Sequence, residues 1–144
     1  MITQYTRYAL KALLYVARRP REHPVSVAEI AENANVPRKF LETILVDLKR
    51  RGFVISTRGK RGGYRLARPP EQIAFGEIIR QFEGSLVLLP TNGDMEGGDD
   101  QEEQALRRVI GDVEAQVTAM LAAVSLTDAM KRSKSGTDAT PDPE

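Results

Sequence analysis

The run from Ser56 to Arg68, STRGKRGGYRLAR, sets Gly59, Gly62 and Gly63 among Arg58, Lys60 and Arg61, with β-favouring residues on either side. Glycine tolerates the positive φ and close backbone approach that a tight turn demands. Phe53-Val54-Ile55-Ser56-Thr57 and Tyr64-Arg65-Leu66-Ala67 read as the two strands it joins. A phosphate-cradling glycine loop would run straight into a helix, whereas this one runs into Tyr64-Arg65-Leu66. The spacing therefore predicts a cationic β-hairpin tip.

Three helical patterns precede the hairpin. Residues 3–19 place Tyr5, Ala9, Ala12, Leu13, Val16 and Ala17 at helical spacing, and Pro20 ends the run. After a loop at 20–25, Ser26 and Glu29 form a Ser-x-x-Glu capping box, with Val25 and Ile30 at the positions of a hydrophobic staple. Asn33-Ala34-Asn35 and Pro37 break that short helix, and Pro37 suits the opening of another. In this third helix Phe40, Leu41, Ile44, Leu45 and Leu48 share a face, while Arg38, Lys39, Glu42, Thr43 and Lys49 point elsewhere. Gly52 follows the cationic turn Lys49-Arg50-Arg51, a C-terminal signal. Residues 75–83 predict a further short helix carrying Phe75, Ile78, Ile79 and Phe82.

Beyond residue 83 the composition changes. EGSLVLLPTNGDMEGGDD is rich in Gly and Asp and reads as irregular. Its acidic residues Asp94, Glu96, Asp99 and Asp100 do not have the spacing of a calcium loop with a glutamate at its twelfth position. Residues 101–131 predict a long helix in which Leu106, Ile110, Val113, Val117, Met120 and Val124 recur at steps of four and three. Such a helix extends about 45 Å, longer than a small domain can cover, so a second copy is expected to bury its seam. Residues 133–144 are polar with two prolines and are expected to be disordered. The organisation expected is a winged helix-turn-helix domain over 1–83, a mobile acidic and glycine-rich loop over 84–100, a dimerisation helix over 101–132, and the tail. The fold class is mainly α with a small β-hairpin.

Charge narrows the function. The net charge of +1 comes from 21 Lys and Arg against 20 Asp and Glu. Residues 1–70 hold 15 of the cations and 5 of the acids, a balance of +10, which leaves 6 and 15, or −9, for residues 71–144. A basic front half is the footprint of a polyanion binder. The chain has no cysteine, so disulfides, thiolate catalysis and cysteine-held metals are excluded. No apolar run is long enough to span a bilayer. The amphipathic N-terminus lacks the layout of a secretory signal, so a cytoplasmic protein that does not engage membrane is expected. No nucleophile is set beside a base and no paired histidines occur, so no enzymatic activity is expected.

Three helices followed by a hairpin spell a winged helix-turn-helix, whose second motif helix presents its first residues to base edges of duplex DNA. Those residues are Arg38, Lys39, Glu42 and Thr43. Arg38 or Lys39 can donate to guanine or phosphate, and Glu42 can accept from a cytosine amino group. Glu42 also has a simpler reading, as a first-turn acid favoured by the helix dipole. Arg58, Gly59, Lys60 and Arg61 form the wing tip, from which an arginine can enter the minor groove. Tyr5, Arg7 and Lys11 are candidates for phosphate contacts, alongside a reading with Tyr5 in the core and the two cations solvated. An adaptor that uses the winged domain to bind protein rather than DNA is the alternative.

Residues 2–83 resemble the BadM-type winged-helix repressors of bacteria, the family of the regulators IscR, NsrR and CymR. The resemblance is carried by Tyr8-Ala9-Leu10, Leu13-Leu14, Val16-Ala17, Ile30-Ala31 and Phe40-Leu41-Glu42. Leu48-Lys49-Arg50-Arg51-Gly52-Phe53-Val54, Arg58-Gly59 and Gly62-Gly63-Tyr64-Arg65-Leu66 complete it. It implies a homodimeric repressor whose long helix crosses to the partner. Many members ligate an iron–sulfur cluster through three cysteines before the long helix. Residues 85–104 contain none, and the lone His23 lies elsewhere. The chain thus resembles a cluster-free branch with no cofactor, whose signal would be a small molecule, a partner protein or nothing.

Overall fold

The protein's structure, a computed structural model, describes residues 2–89 and 100–138. In chain order it holds α1 (Gln4–Arg18), α2 (Val27–Asn33), α3 (Arg38–Arg50), β1 (Val54–Thr57), β2 (Gly63–Leu66), a 3-10 turn (Pro70–Gln72), α4 (Phe75–Glu83), α5 (Gln101–Ala123) and α6 (Leu126–Asp138). The architecture is the expected one, mainly helical with a single hairpin beside a helix-turn-helix.

The core forms where the apolar stripes of the helices converge. α1 contributes Ala9, Ala12, Leu13 and Val16, and α3 contributes Leu41, Ile44, Leu45 and Leu48. Phe53, Val54 and Leu66 from the hairpin, Ile73 and Ile78 from around α4, and Leu126 from α6 close it. Each large side chain withdrawn from water contributes roughly 1.5–3 kcal/mol before the entropy of ordering it.

The local signals act as their chemistry dictates. The Ser26 side chain accepts from the Glu29 N–H at 3.1 Å and starts α2. Val25 and Ile30 are both buried, as a staple requires. Asn35, at φ 54°, turns the chain between α2 and α3, a left-handed position that asparagine tolerates better than most residues. Val54 pairs with Leu66 and Thr57 with Gly63 in the antiparallel hairpin. Val25 adds a third short strand segment: its N–H donates to Tyr64 O at 2.7 Å, and the Tyr64 N–H returns to Val25 O at 2.8 Å. This tie leaves no room beside Gly63, where a Cβ would lie 2.3 Å from Val25 O.

Two carboxylates fasten the helices. Glu83, the last residue of α4, accepts from the Thr3 N–H and hydroxyl, both at 2.8 Å, and from the Thr6 hydroxyl at 2.6 Å. These donors, Thr6 foremost, hold its carboxyl below the usual 4.5. Asp47 on α3 accepts from the Tyr5 hydroxyl at 3.0 Å, Arg50 at 2.7 Å and Arg51 at 2.9 Å. Burial alone would raise the Asp47 carboxyl, but the bonds from Arg50, Arg51 and Tyr5 outweigh it and hold the group below 3.8. Arg51 also donates to Gln81 O at 2.7 Å and lies 4.7 Å over the Phe82 ring. α1, α3 and α4 therefore meet at one charged knot.

The structure settles one open reading and changes three expectations. Tyr5 is not free for phosphate, because its hydroxyl is committed to Asp47 and its ring packs 5.7 Å from Phe82. Phe40 does not join the core face of α3; it is 50% exposed and stacks on Tyr8 at 6.3 Å. The single helix expected over 101–132 is two helices. α5 stops at Ala123 because the Phe75 N–H donates to Val124 O at 2.7 Å and the Leu126 N–H to Ile73 O at 2.9 Å. Ser125 and Asp128 then cap α6 reciprocally, at 3.1 and 3.0 Å. α6 packs on α1 and runs into the segment expected to be a disordered tail, as far as Asp138. Residues 90–99 of the acidic loop, with Asp94, Glu96 and Asp99, and residues 139–144 lie outside the described residues; Asp100 is the N-cap of α5.

Both fastening carboxyls titrate lower when folded, so their stabilisation is present above their ordinary values and is lost as pH falls through the folded ones. Asp47→Asn should cost on the order of 1–3 kcal/mol at neutral pH. Thermal melts of Asp47→Asn and Glu83→Gln should show a Tm that declines less than wild type between pH 5 and 3; an unchanged acid limb in both variants would contradict the assignment. Gly63→Ala should destabilise by roughly 1–3 kcal/mol through the clash with Val25 O, read as a lowered denaturation midpoint.

Candidate nucleic-acid interface

The face of α3 opposite its buried residues is a stripe of Lys39, Thr43, Val46 and Arg50, spaced by four, three and four, and all four are exposed. Arg38 and Glu42 flank it. They form an exposed ion pair at 3.5 Å, the kind that contributes little to stability because water screens it. Arg50 keeps its contact with Asp47 while 74% of its side chain stays exposed. The preceding turn carries no side-chain cap: Pro37 occupies the N-cap position of α3, leaving the positive end of the helix dipole open near Arg38 and Lys39.

The wing stands clear of the body. Arg58, Gly59, Lys60 and Arg61 are all exposed. Among the described residues no hydrogen bond or ion pair engages the side chains of Arg58, Lys60 or Arg61. Gly59 sits at φ 110° and closes the tip with a bond from the Gly62 N–H at 2.9 Å. Gly62 is equally constrained, since a Cβ there would meet Thr57 O at 2.3 Å. Three exposed cations are thus held on a short backbone arch, with no hydrogen bond or ion pair to the described residues.

The remaining candidates separate. Arg7 on α1 is exposed, with no partner for its guanidinium among the described residues. Lys11 donates to Asn35 O at 3.3 Å and so braces the α2–α3 turn. His23 is exposed in the α1–α2 loop. Of the seam residues Leu106, Ile110, Val113, Val117, Met120 and Val124, none is buried; Met120 is 69% exposed. Val109, absent from the expected seam, is exposed as well. Val46 was also missed, although the spacing Lys39-Thr43-Val46-Arg50 was there to find it.

A cleft of about 810 Å³ lies between α4 and α5, lined in part by Ile79, Arg80, Ser85, Leu86, Thr118 and Leu121. Glu77 lines it as well, its carboxylate paired with Arg68 at 2.6 Å. No helix among the described residues is long and apolar enough to cross a membrane.

Comparison with known proteins places the chain in a family. The family described as Rrf2, iron-dependent transcriptional regulator, matches residues 2–132. The HTH-type transcriptional regulator slr0846 of Synechocystis is 45% identical over 93 residues, which span 65% of this chain and 63% of that protein. The rrf2-like HTH-type transcriptional regulator of Rhodobacter capsulatus is 35% identical over 136 residues, 89% of this chain and 91% of its own. Among solved structures, CymR, the global cysteine regulator of B. subtilis, superposes with a TM-score of 0.78 at 30% identity, covering 92% of this chain and 97% of CymR. The relatives are regulators rather than enzymes, and the family resemblance carried by the motifs holds. On the match over residues 2–132 and the shared fold, the chain belongs to the Rrf2 family of transcriptional regulators.

Proposed function

We propose that two copies of this chain form a repressor that binds a two-fold operator, with each α3 in a major groove and each wing in the adjoining minor groove. The observation that carries the proposal is the pairing of an outward α3 stripe with three unpartnered cations on the wing. A helix about 10–12 Å across fits the major groove, and arginine favours the negative potential of a narrow minor groove. The Arg38–Glu42 pair is weak enough to open on contact. Arg38 then meets phosphate or guanine, and Glu42 accepts from a cytosine amino group. Arg7 adds a phosphate contact from α1. The repressor sign rests on the resemblance to winged-helix repressors.

α5 supports the two-fold assembly. It is 23 residues long, and none of its residues is buried in the single chain. Leu106, Val109, Val113 and Met120 face solvent, and an exposed apolar row of this extent marks an interface. Cluster chemistry does not fit. The chain has no cysteine, and among the described residues no three His, Cys, Asp or Glu lie together as metal ligands. Regulation is therefore assigned to something other than a thiolate-held iron centre.

Two experiments test the reading. Arg58→Ala with Arg61→Ala removes up to four cations per dimer, so log affinity against log salt should flatten by as much as ~3–4 and affinity should fall at every salt; unchanged affinity would remove the wing from the interface. Val113→Asp should shift the protein from dimer to monomer in sedimentation and abolish tight operator binding. A Val113→Asp variant that stays dimeric would contradict the α5 interface.

A further inference from the structure

Val46 has no structural reason to face water. It is 61% exposed on the third turn of α3, where valine is a poorer helix former than alanine or lysine and gains nothing by burial. Its neighbours explain the choice. Thr43 lies one turn earlier on the same stripe, and no hydrogen bond engages its side chain among the described residues. Lys39 and Arg50 bracket the two, so the stripe runs cation, methyl, methyl, cation. The ends suit phosphates, and the middle suits an apolar group between them.

Within the major groove one base-borne group is apolar, the C5-methyl of thymine. We infer that Val46, with the Thr43 methyl beside it, reads thymine methyl groups and is a specificity-determining residue of the operator. The inference rests on the DNA-binding reading above. The dimensions agree: residues three apart on a helix rise about 4.5 Å, close to the 3.4 Å step between bases on one strand. The pair therefore spans neighbouring steps. A thymine methyl loses water against Val46, whereas cytosine carries only a hydrogen at C5 and leaves that contact unmade.

The test uses the full-length protein and an operator obtained by selecting genomic fragments that it retains. Each thymine of a half-site is replaced in turn by deoxyuridine, which removes only the methyl group. Wild type should bind roughly fourfold more weakly at one or two positions, the loss expected for one buried methyl. Val46→Ala should bind the thymine operator more weakly and show no further loss with deoxyuridine at one of those positions. Thr43→Ser, which keeps the hydroxyl and drops the methyl, should do the same at the neighbouring step. Val46→Ala should melt no lower than wild type, since alanine favours the helix. If wild type separates operator from scrambled duplex yet binds thymine and deoxyuridine operators alike at every position, the methyl reading is wrong and the DNA reading stands. If it cannot separate operator from scrambled duplex, both fall.

Discussion

The Asp47 carboxylate is the constraint on which the posture of α3 depends. It draws a hydroxyl from α1 and two guanidinium groups from the end of α3 onto one partly buried oxygen pair. Arg51 carries the tie onward to the α4 backbone and lies over the Phe82 ring. Charge-assisted bonds of this kind are short and directional. The two that leave the helix, from the Tyr5 hydroxyl to Asp47 and from Arg51 to Gln81 O, orient α3 about its own axis, which hydrophobic burial of Leu41, Ile44, Leu45 and Leu48 alone fixes less sharply. An orientation error of a fraction of a turn would turn Lys39, Thr43 and Val46 away from the face they now present. The hairpin is fixed separately, by Val25 pairing with Tyr64. The two presented surfaces thus rest on the same core through independent anchors.

The joint at residues 124–126 does a second job. Backbone bonds from Phe75 to Val124 and from Leu126 to Ile73 clip the chain to the entrance of α4. α6 returns Leu126 to the core, so α5 is held at its far end while its apolar residues remain outside. Gly76 allows this closeness; a Cβ there would come within 3.0 Å of the Leu121–Ala122 backbone. α5 also packs on α4, and midway along it Glu114 accepts from the Leu88 N–H at 2.6 Å, so one side of the helix is tied to the body while its apolar row faces out.

Much of this was legible in the residues because the signals were local. The Ser26 cap, the Val25–Ile30 staple, the Pro37 start, the Gly52 stop and the glycine turn each act within a few positions, and each element appears where they put it. What was missed depended on residues far apart in the chain. The heptad seam continues in phase through Val124, so periodicity favoured one helix to residue 131. The interruption comes from bonds to Ile73 and Phe75, some fifty positions away. The new start is marked by Ser125 and Asp128, which cap α6. Tyr5 was left undecided between phosphate and core because its partner Asp47 lies on another helix. Phe40 fits the apolar face of α3 by spacing, but Tyr8 of α1 offers it a stacked neighbour at the rim instead. The assignment of base and phosphate contacts rests on chemistry and placement together.

The most direct test of the central claim is hydroxyl-radical and methylation-interference footprinting of the full-length protein on a selected genomic fragment. The account predicts two protected major-groove patches on one face of the duplex, related by two-fold symmetry and centred about 10–10.5 base pairs or a multiple of that apart. Minor-groove protection should flank each patch where the wing enters. Uniform protection along the fragment, or none at low salt, would contradict it.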